Sequence, residues 1–232
     1  METAVTLQDR LTRAVVAPAL GGSLVSWTTL LDERALLRPA CLPATSPRQL
    51  GCYPLVPWSN RIAAGGFATP EGWMALPANT EGSPLAVHGS AWQQPWHVVE
   101  QDARSVRLRL ESQVPFAYHA EQCIRLDEGC LSIELSVTHR DPQPAWHGLG
   151  LHPYFVRTPA TRVTARANQV WLCDEQQLST QLSELPAAWD LRQGNGLPHE
   201  RVDNAFTGWD GVCRIEQEDA GYHLDCRGEG FG

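Results

Sequence analysis

Short runs in which apolar and polar residues alternate, separated by glycine-bearing turns, most constrain what this chain can fold into. In SVRLRLES, Val106, Leu108 and Leu110 share one side, and Arg107 and Arg109 the other. CLSIELSVTH sets Leu131, Ile133, Leu135 and Val137 against Ser132, Glu134, Ser136 and Thr138, and GYHLDCRG sets Tyr222, Leu224 and Cys226 against His223, Asp225 and Arg227. A strand sends successive side chains to opposite faces, so a period of two reads as sheet with one buried face. The punctuation agrees: Gly21-Gly22, Gly65-Gly66, Asp127-Glu128-Gly129, Gly194-Asn195-Gly196 and Asp219-Ala220-Gly221 are turn signals. No long stretch keeps a helical period; DEQQLSTQLSEL, residues 174–185, is the best short helix candidate. The expectation is an all-β, two-layer antiparallel architecture. With no linker, repeat or low-complexity tract, residues 1–232 are read as a single domain.

Composition removes several function classes. The formal charge of −8 argues against a nucleic-acid partner, which needs a basic surface. All 18 residues in the Lys and Arg total are Arg, so lysine Schiff-base chemistry and a phosphate-loop lysine are excluded. The seven Cys include no C-x-x-C pair, and they read as reduced thiols of a cytoplasmic protein. Cys123 and Cys130 flank a hairpin turn that could make them neighbours. The N-terminal residues lack a signal-peptide pattern, and no stretch approaches the roughly 20 apolar residues of a membrane span.

Four stretches depart from plain alternation: 53–67, 85–97, 145–155 and 202–211 are rich in aromatic, polar and glycine residues. Brought together on one concave face, they would make a small-molecule site. His88 precedes a Gly and lies near Trp92 and Trp96; His147 and His152 fall in AWHGLGLHPYF. On an unbroken strand His147 and His152 face opposite sides, so they do not share a metal. No ligand set for zinc is visible. Gly148 and Gly150 share the face of His152, which reads as space cleared for a close approach. In PLVPWSNRIAAGGF, Trp58, Asn60 and Arg61 stand together. A guanidinium fork, an amide and an indole suit a polyhydroxylated ligand, although Arg61 alone reads equally as a surface residue. Asp203, in RVDNAFTGWDG, reads as a turn-forming Asp or a ligand-binding one.

PWSNRIAAGGF, then VHG before a Trp-rich run, then GLHPYF, then VDNAFTGW, occur in that order. Together they resemble the aldose 1-epimerase (galactose mutarotase) family, in particular its bacterial members with PWSNRI. VVAPALGGSLVSW resembles that family's first hairpin. The resemblance implies a large antiparallel β-sandwich that holds a monosaccharide and interconverts the α and β anomers of a free aldohexose without a cofactor or metal. It implies that Arg61 binds substrate, that His88 contacts the sugar near its ring oxygen, that His152 is the general acid, and that Asp203 holds sugar hydroxyls. Ring opening needs an acid at the ring oxygen and a base at the C1 hydroxyl, and an imidazole titrating near neutrality suits such work.

The family's base is a Glu near the C-terminus in a motif like EP, and this sequence has no match to it. The chain stops at CRGEGFG, where the family continues for about another hairpin. The expectation is therefore a sandwich shortened at its C-terminus, with impaired turnover or another base, and with an exposed sheet edge that a second copy could cover as a homodimer. Two other readings follow: a non-catalytic sugar-binding module on the same fold, and a glycoside hydrolase or lyase, which needs two carboxylates across the sugar.

Overall fold

The structure, a computed structural model, describes residues 4–41 and 43–230. It divides into two compact units, one ending at Val156 and the other beginning at Arg157. In the first unit, β1 (Val5–Gln8), β2 (Thr12–Ala17), β3 (Ser23–Thr29), β4 (Cys52–Leu55) and β13 (Gly150–Pro153) form one sheet in the order β1-β2-β3-β4-β13. A second sheet has the order β12-β11-β10-β9, from β9 (His97–Gln101), β10 (Ser105–Ser112), β11 (Tyr118–Asp127) and β12 (Cys130–His139). All of these pairings are antiparallel. Two short ribbons join them: β5 (Arg61–Ile62) with β8 (Ala86–Val87), and β6 (Gly66–Thr69) with β7 (Gly72–Ala75).

The two large sheets pack face to face because their alternating runs put one set of side chains inward. Leu7, Ala14, Val16 and Leu24 from the first sheet share a buried cluster with Leu108, Ala120, Ile124 and Leu126 from the second. Leu108 is fully buried, whereas its neighbours Arg107 and Arg109 are exposed. Each buried aliphatic side chain of this kind contributes about 1.5–3 kcal/mol. One polar bond also crosses the layers: Gln122 Nε2 donates to the Gly22 carbonyl at 2.8 Å.

The second unit is also built of strands. β14 (Thr161–Ala165), β17 (Asn195–Gly196), β19 (Val212–Gln217) and β20 (Tyr222–Arg227) make a sheet in the order β17-β14-β19-β20. β15 (Gln169–Cys173), β16 (Ser179–Glu184) and β18 (Phe206–Thr207) make another, in the order β16-β15-β18.

Two local expectations are corrected. The helix candidate at 174–185 is the turn and second strand of the β15–β16 hairpin. Asp174 Oδ1 accepts from the N–H groups of Gln176 and Leu178, which turns the chain before a helical period can begin. Cys123 and Cys130 are not neighbours: in the β11–β12 hairpin Cys123 pairs with Glu134, and Cys130 pairs with Asp127. All seven cysteines are free thiols.

Candidate active site

The first unit brings Asn60, Arg61, His88 and His152 together through two strand pairings. Arg61 faces Val87 across the β5–β8 ribbon, and the N–H of His88 donates to the Asn60 carbonyl at 2.9 Å. The Asn60 N–H in turn donates to His88 Nδ1 at 3.0 Å. A neutral ring that accepts at Nδ1 carries its proton on Nε2. Asn60 Oδ1 accepts from the Arg61 N–H at 2.9 Å and from its guanidinium at 3.4 Å. Asn60 and His88 both take left-handed backbone, with φ of 64° and 63°. Asn and His are among the few side chains that tolerate this region. The next residue, Gly89, is at φ +68°, and a Cβ there would lie 2.0 Å from the Val56 carbonyl oxygen, so only glycine fits.

His152 reaches the same place from the β4–β13 pair, where it stands opposite Tyr53. Its ring stacks on Tyr53 at 4.8 Å between centroids and 13° between planes, and Tyr154 flanks it at 4.7 Å. The His88 and His152 rings meet edge to face at 5.5 Å. Tyr53 also packs on Trp92 at 5.5 Å, and Arg38 lies 3.7 Å over the Tyr154 ring while donating to the carbonyls of Arg48 and Leu50. Aromatic pairs of this kind contribute about 0.5–1.5 kcal/mol each beyond the area they bury. Burial, together with the neighbouring Tyr154 hydroxyl, pushes the Tyr53 phenol well above its usual range, so it remains a donor. Trp92 also lines a cavity of about 580 Å³, together with Arg48, Asn79, Thr80, Glu81 and Gln93.

Other expected features take different places. Trp58 is only 7 % exposed and packs with Leu76 and Ala86, so its indole is part of the core rather than an open platform for a sugar. The space beside Gly148 and Gly150 is filled by the chain itself. A Cβ on Gly150 would meet Leu55 and Ser59, one on Gly148 would meet Trp58 and Ser59, and the Gly148 N–H donates to the Pro57 carbonyl at 2.7 Å. These glycines admit the 55–59 segment, which brings Asn60 and Arg61 to the site. His147 stands apart from His152: it bonds His139 at 2.9 Å and packs on Phe116. Asp203 belongs to the second unit, where it is exposed and its carboxylate accepts from Arg201 at 2.9 Å.

Tyr53, Asn79 and Tyr154 belong to the site although no motif marks them. Tyr154 had a signal, because it lies two residues beyond His152 and so shares its face. Tyr53 and Asn79 had none, since only strand pairing and loop closure bring them in. Burial raises the Cys52 thiol to about 12 and the Cys213 thiol to about 11, so neither is a thiolate nucleophile near neutrality. Among the described residues no group of three or more His, Cys, Asp or Glu could hold a metal ion, and no helix is long and apolar enough to cross a membrane.

The sequence profile of the aldose 1-epimerase family matches residues 3–230. The chain belongs to the aldose 1-epimerase family. It is 35% identical over 195 residues to YphB of Escherichia coli K12, an uncharacterized protein, covering 83% of this chain and 67% of YphB. YihR of the same strain, also uncharacterized, is 27% identical over 169 residues, covering 66% of this chain and 53% of YihR. The crystal structure of a candidate aldose 1-epimerase from E. coli K12 superposes with a TM-score of 0.90 at 32% identity, covering 96% of this chain and 76% of that one. A GalM/aldose epimerase homologue from Caenorhabditis elegans superposes with a TM-score of 0.81 at 16% identity, covering 97% of this chain and 78% of that one. The fold is thus the large antiparallel β-sandwich of the galactose mutarotase type.

Proposed function

We propose that this member of the family is an aldose 1-epimerase acting on a free aldohexose, with His152 as general acid and His88, Asn60 and Arg61 binding the sugar around the ring oxygen. The observation that carries this reading is the meeting of two imidazoles at 5.5 Å beside an Asn–Arg pair, on segments far apart in sequence.

The reaction needs one acid and one base. The acid protonates the ring oxygen, the C1 hydroxyl loses its proton to a base, the C1–C2 bond rotates, and the ring closes with the roles reversed. A positioned acid or base contributes about 10²–10⁴-fold. The stack with Tyr53 and Tyr154 keeps the His152 imidazole in one plane, which is what proton transfer in a fixed direction needs. His88 has a different part. Its Nδ1 is occupied by the Asn60 N–H, so the neutral ring offers a proton at Nε2 and stabilises charge on a sugar oxygen rather than removing a proton. A base other than His88 takes the C1 proton. Arg61 supplies a fixed positive charge and a fork of donors for hydroxyls.

The test is polarimetry. Protein added to freshly dissolved α-glucose or α-galactose should speed the approach to anomeric equilibrium in proportion to its concentration. A trace that overlays the buffer blank rules out turnover. Thermal protection by the sugar without acceleration would establish the binding-module reading instead, and release of a reducing end from a glycoside would establish the hydrolase.

A further inference from the structure

The His88 segment is held from behind by a side chain that no motif marks. The geometry points to Asn79 as the positioning residue for His88, a conclusion that rests on the proposed role of that imidazole. Asn79 Oδ1 accepts from the Val87 N–H at 2.8 Å, and Asn79 Nδ2 donates to the Val87 carbonyl at 2.9 Å and to the Gly89 carbonyl at 2.8 Å. These bonds fall on the residues immediately before and after His88. The amide orientation follows from its partners, since a flipped amide would turn its NH2 group toward an N–H and its oxygen toward two carbonyls.

Asn79 does here what an adjoining strand would do. The β5–β8 ribbon is only two residues long on each side. One amide takes the N–H and the C=O of the same residue, as a ladder partner does, and then reaches the second carbonyl. Trp92 Nε1 supports the same two carbonyls at 3.3 and 3.1 Å, and Gln93 Nε2 holds the Asn79 carbonyl at 2.7 Å. The bracket matters because His88 is at φ 63°. A side chain in that region stays there only where its surroundings over-determine it. With Asn79 removed, Val87 loses a main-chain partner and the His88 backbone is free to relax. The Asn60 N–H to Nδ1 bond, which sets the His88 tautomer, then loses its alignment.

The experiment combines a double-mutant cycle with imidazole ¹⁵N spectra on the full chain. Asn79→Ala should lower kcat for mutarotation about 10–100-fold while KM changes little, the cost expected for misplacing a reacting neighbour by roughly an ångström. In a His88→Ala background the same substitution should leave kcat within about twofold, because the group it positions is gone. Equal losses in both backgrounds would overturn the assignment. The His88 spectrum should show an Nε2–H ring in the parent and a tautomer mixture in Asn79→Ala; an unchanged spectrum also overturns it. Asn79→Asp keeps the acceptor for Val87 and sets an anion against two carbonyls. It should reproduce both effects if the Ala variant does not fold. If the parent shows no mutarotation, the functional reading fails by itself and the nitrogen spectra alone decide whether Asn79 orients His88.

Discussion

The two histidines of the site stand 5.5 Å apart and are held by opposite means. His152 is fixed by area. It sits on a sheet strand against Tyr53, which is 2 % exposed, and between two phenol rings. His88 is fixed by direction. It follows a two-residue strand, in left-handed backbone; the Asn60 N–H bonds its Nδ1, and Asn79 bonds the main chain of the residues on either side. Stacking tolerates small shifts and resists unfolding, whereas hydrogen bonds add little net stability but specify angle. A proton donor to the ring oxygen needs a stable plane, and a group that recognises one oxygen lone pair needs an angle. The difference matches the roles proposed for the two rings.

This comparison can be broken in several places. The largest effect is expected from His152→Asn, which should slow mutarotation by about 10²–10⁴-fold while the sugar still protects the protein thermally. A normal polarimetric rate in that variant would remove the acid assignment. Next is Tyr53→Ala, which deletes a buried ring from the His152 side. Denaturant unfolding should show a loss of about 3–5 kcal/mol, in the range for large-to-small core changes. A loss below about 1 kcal/mol would mean that area does not hold His152. Asn60→Gly, on the His88 side, should separate the two kinds of support. Glycine accepts the φ of 64°, so stability should move by less than about 1 kcal/mol, while the loss of Oδ1 frees Arg61 and raises KM for the sugar. A Tyr53-like loss of stability would erase the distinction drawn here.

The smallest effect concerns His147, which lies outside the site. Burial first, and the nearby His139 second, hold its pKa below the ordinary value of 6.5. Above that value the ring is neutral in both folded and unfolded chains and has no influence on pH dependence. As pH falls below it, the unfolded chain takes up a proton that the folded chain refuses, so stability drops until the depressed folded pKa is reached. The melting temperature should therefore fall more steeply as pH drops below 6.5 in the parent than in His147→Phe. Parallel curves would show that the ring is not held neutral.

Much of the fold was legible. SVRLRLES, CLSIELSVTH and GYHLDCRG are β10, β12 and β20, because a period of two is a local property that burial of one face enforces. The stretch at 174–185 misled because its apolar residues also fit a helical spacing, and the side chain of Asp174 decided between the two. The glycines before His152 were read correctly as marking a close approach, but what approaches is the 55–59 segment of the chain itself. Trp58 was chosen for its chemistry, and its burial came from neighbours that no local pattern announces.

By itself the sequence determined the all-β class, the absence of lysine chemistry, and the residues bearing imidazole, guanidinium and amide groups, since these are properties of composition and of short-range alternation. Only the tertiary structure decided that Tyr53 stacks on His152, that His88 meets His152 edge to face, and that Asn79 brackets the loop carrying His88. The reason is physical: strand pairing joins residues about a hundred positions apart, as at Tyr53 and His152, and the register that sets which side chains touch is fixed by burial of whole faces rather than by any one residue.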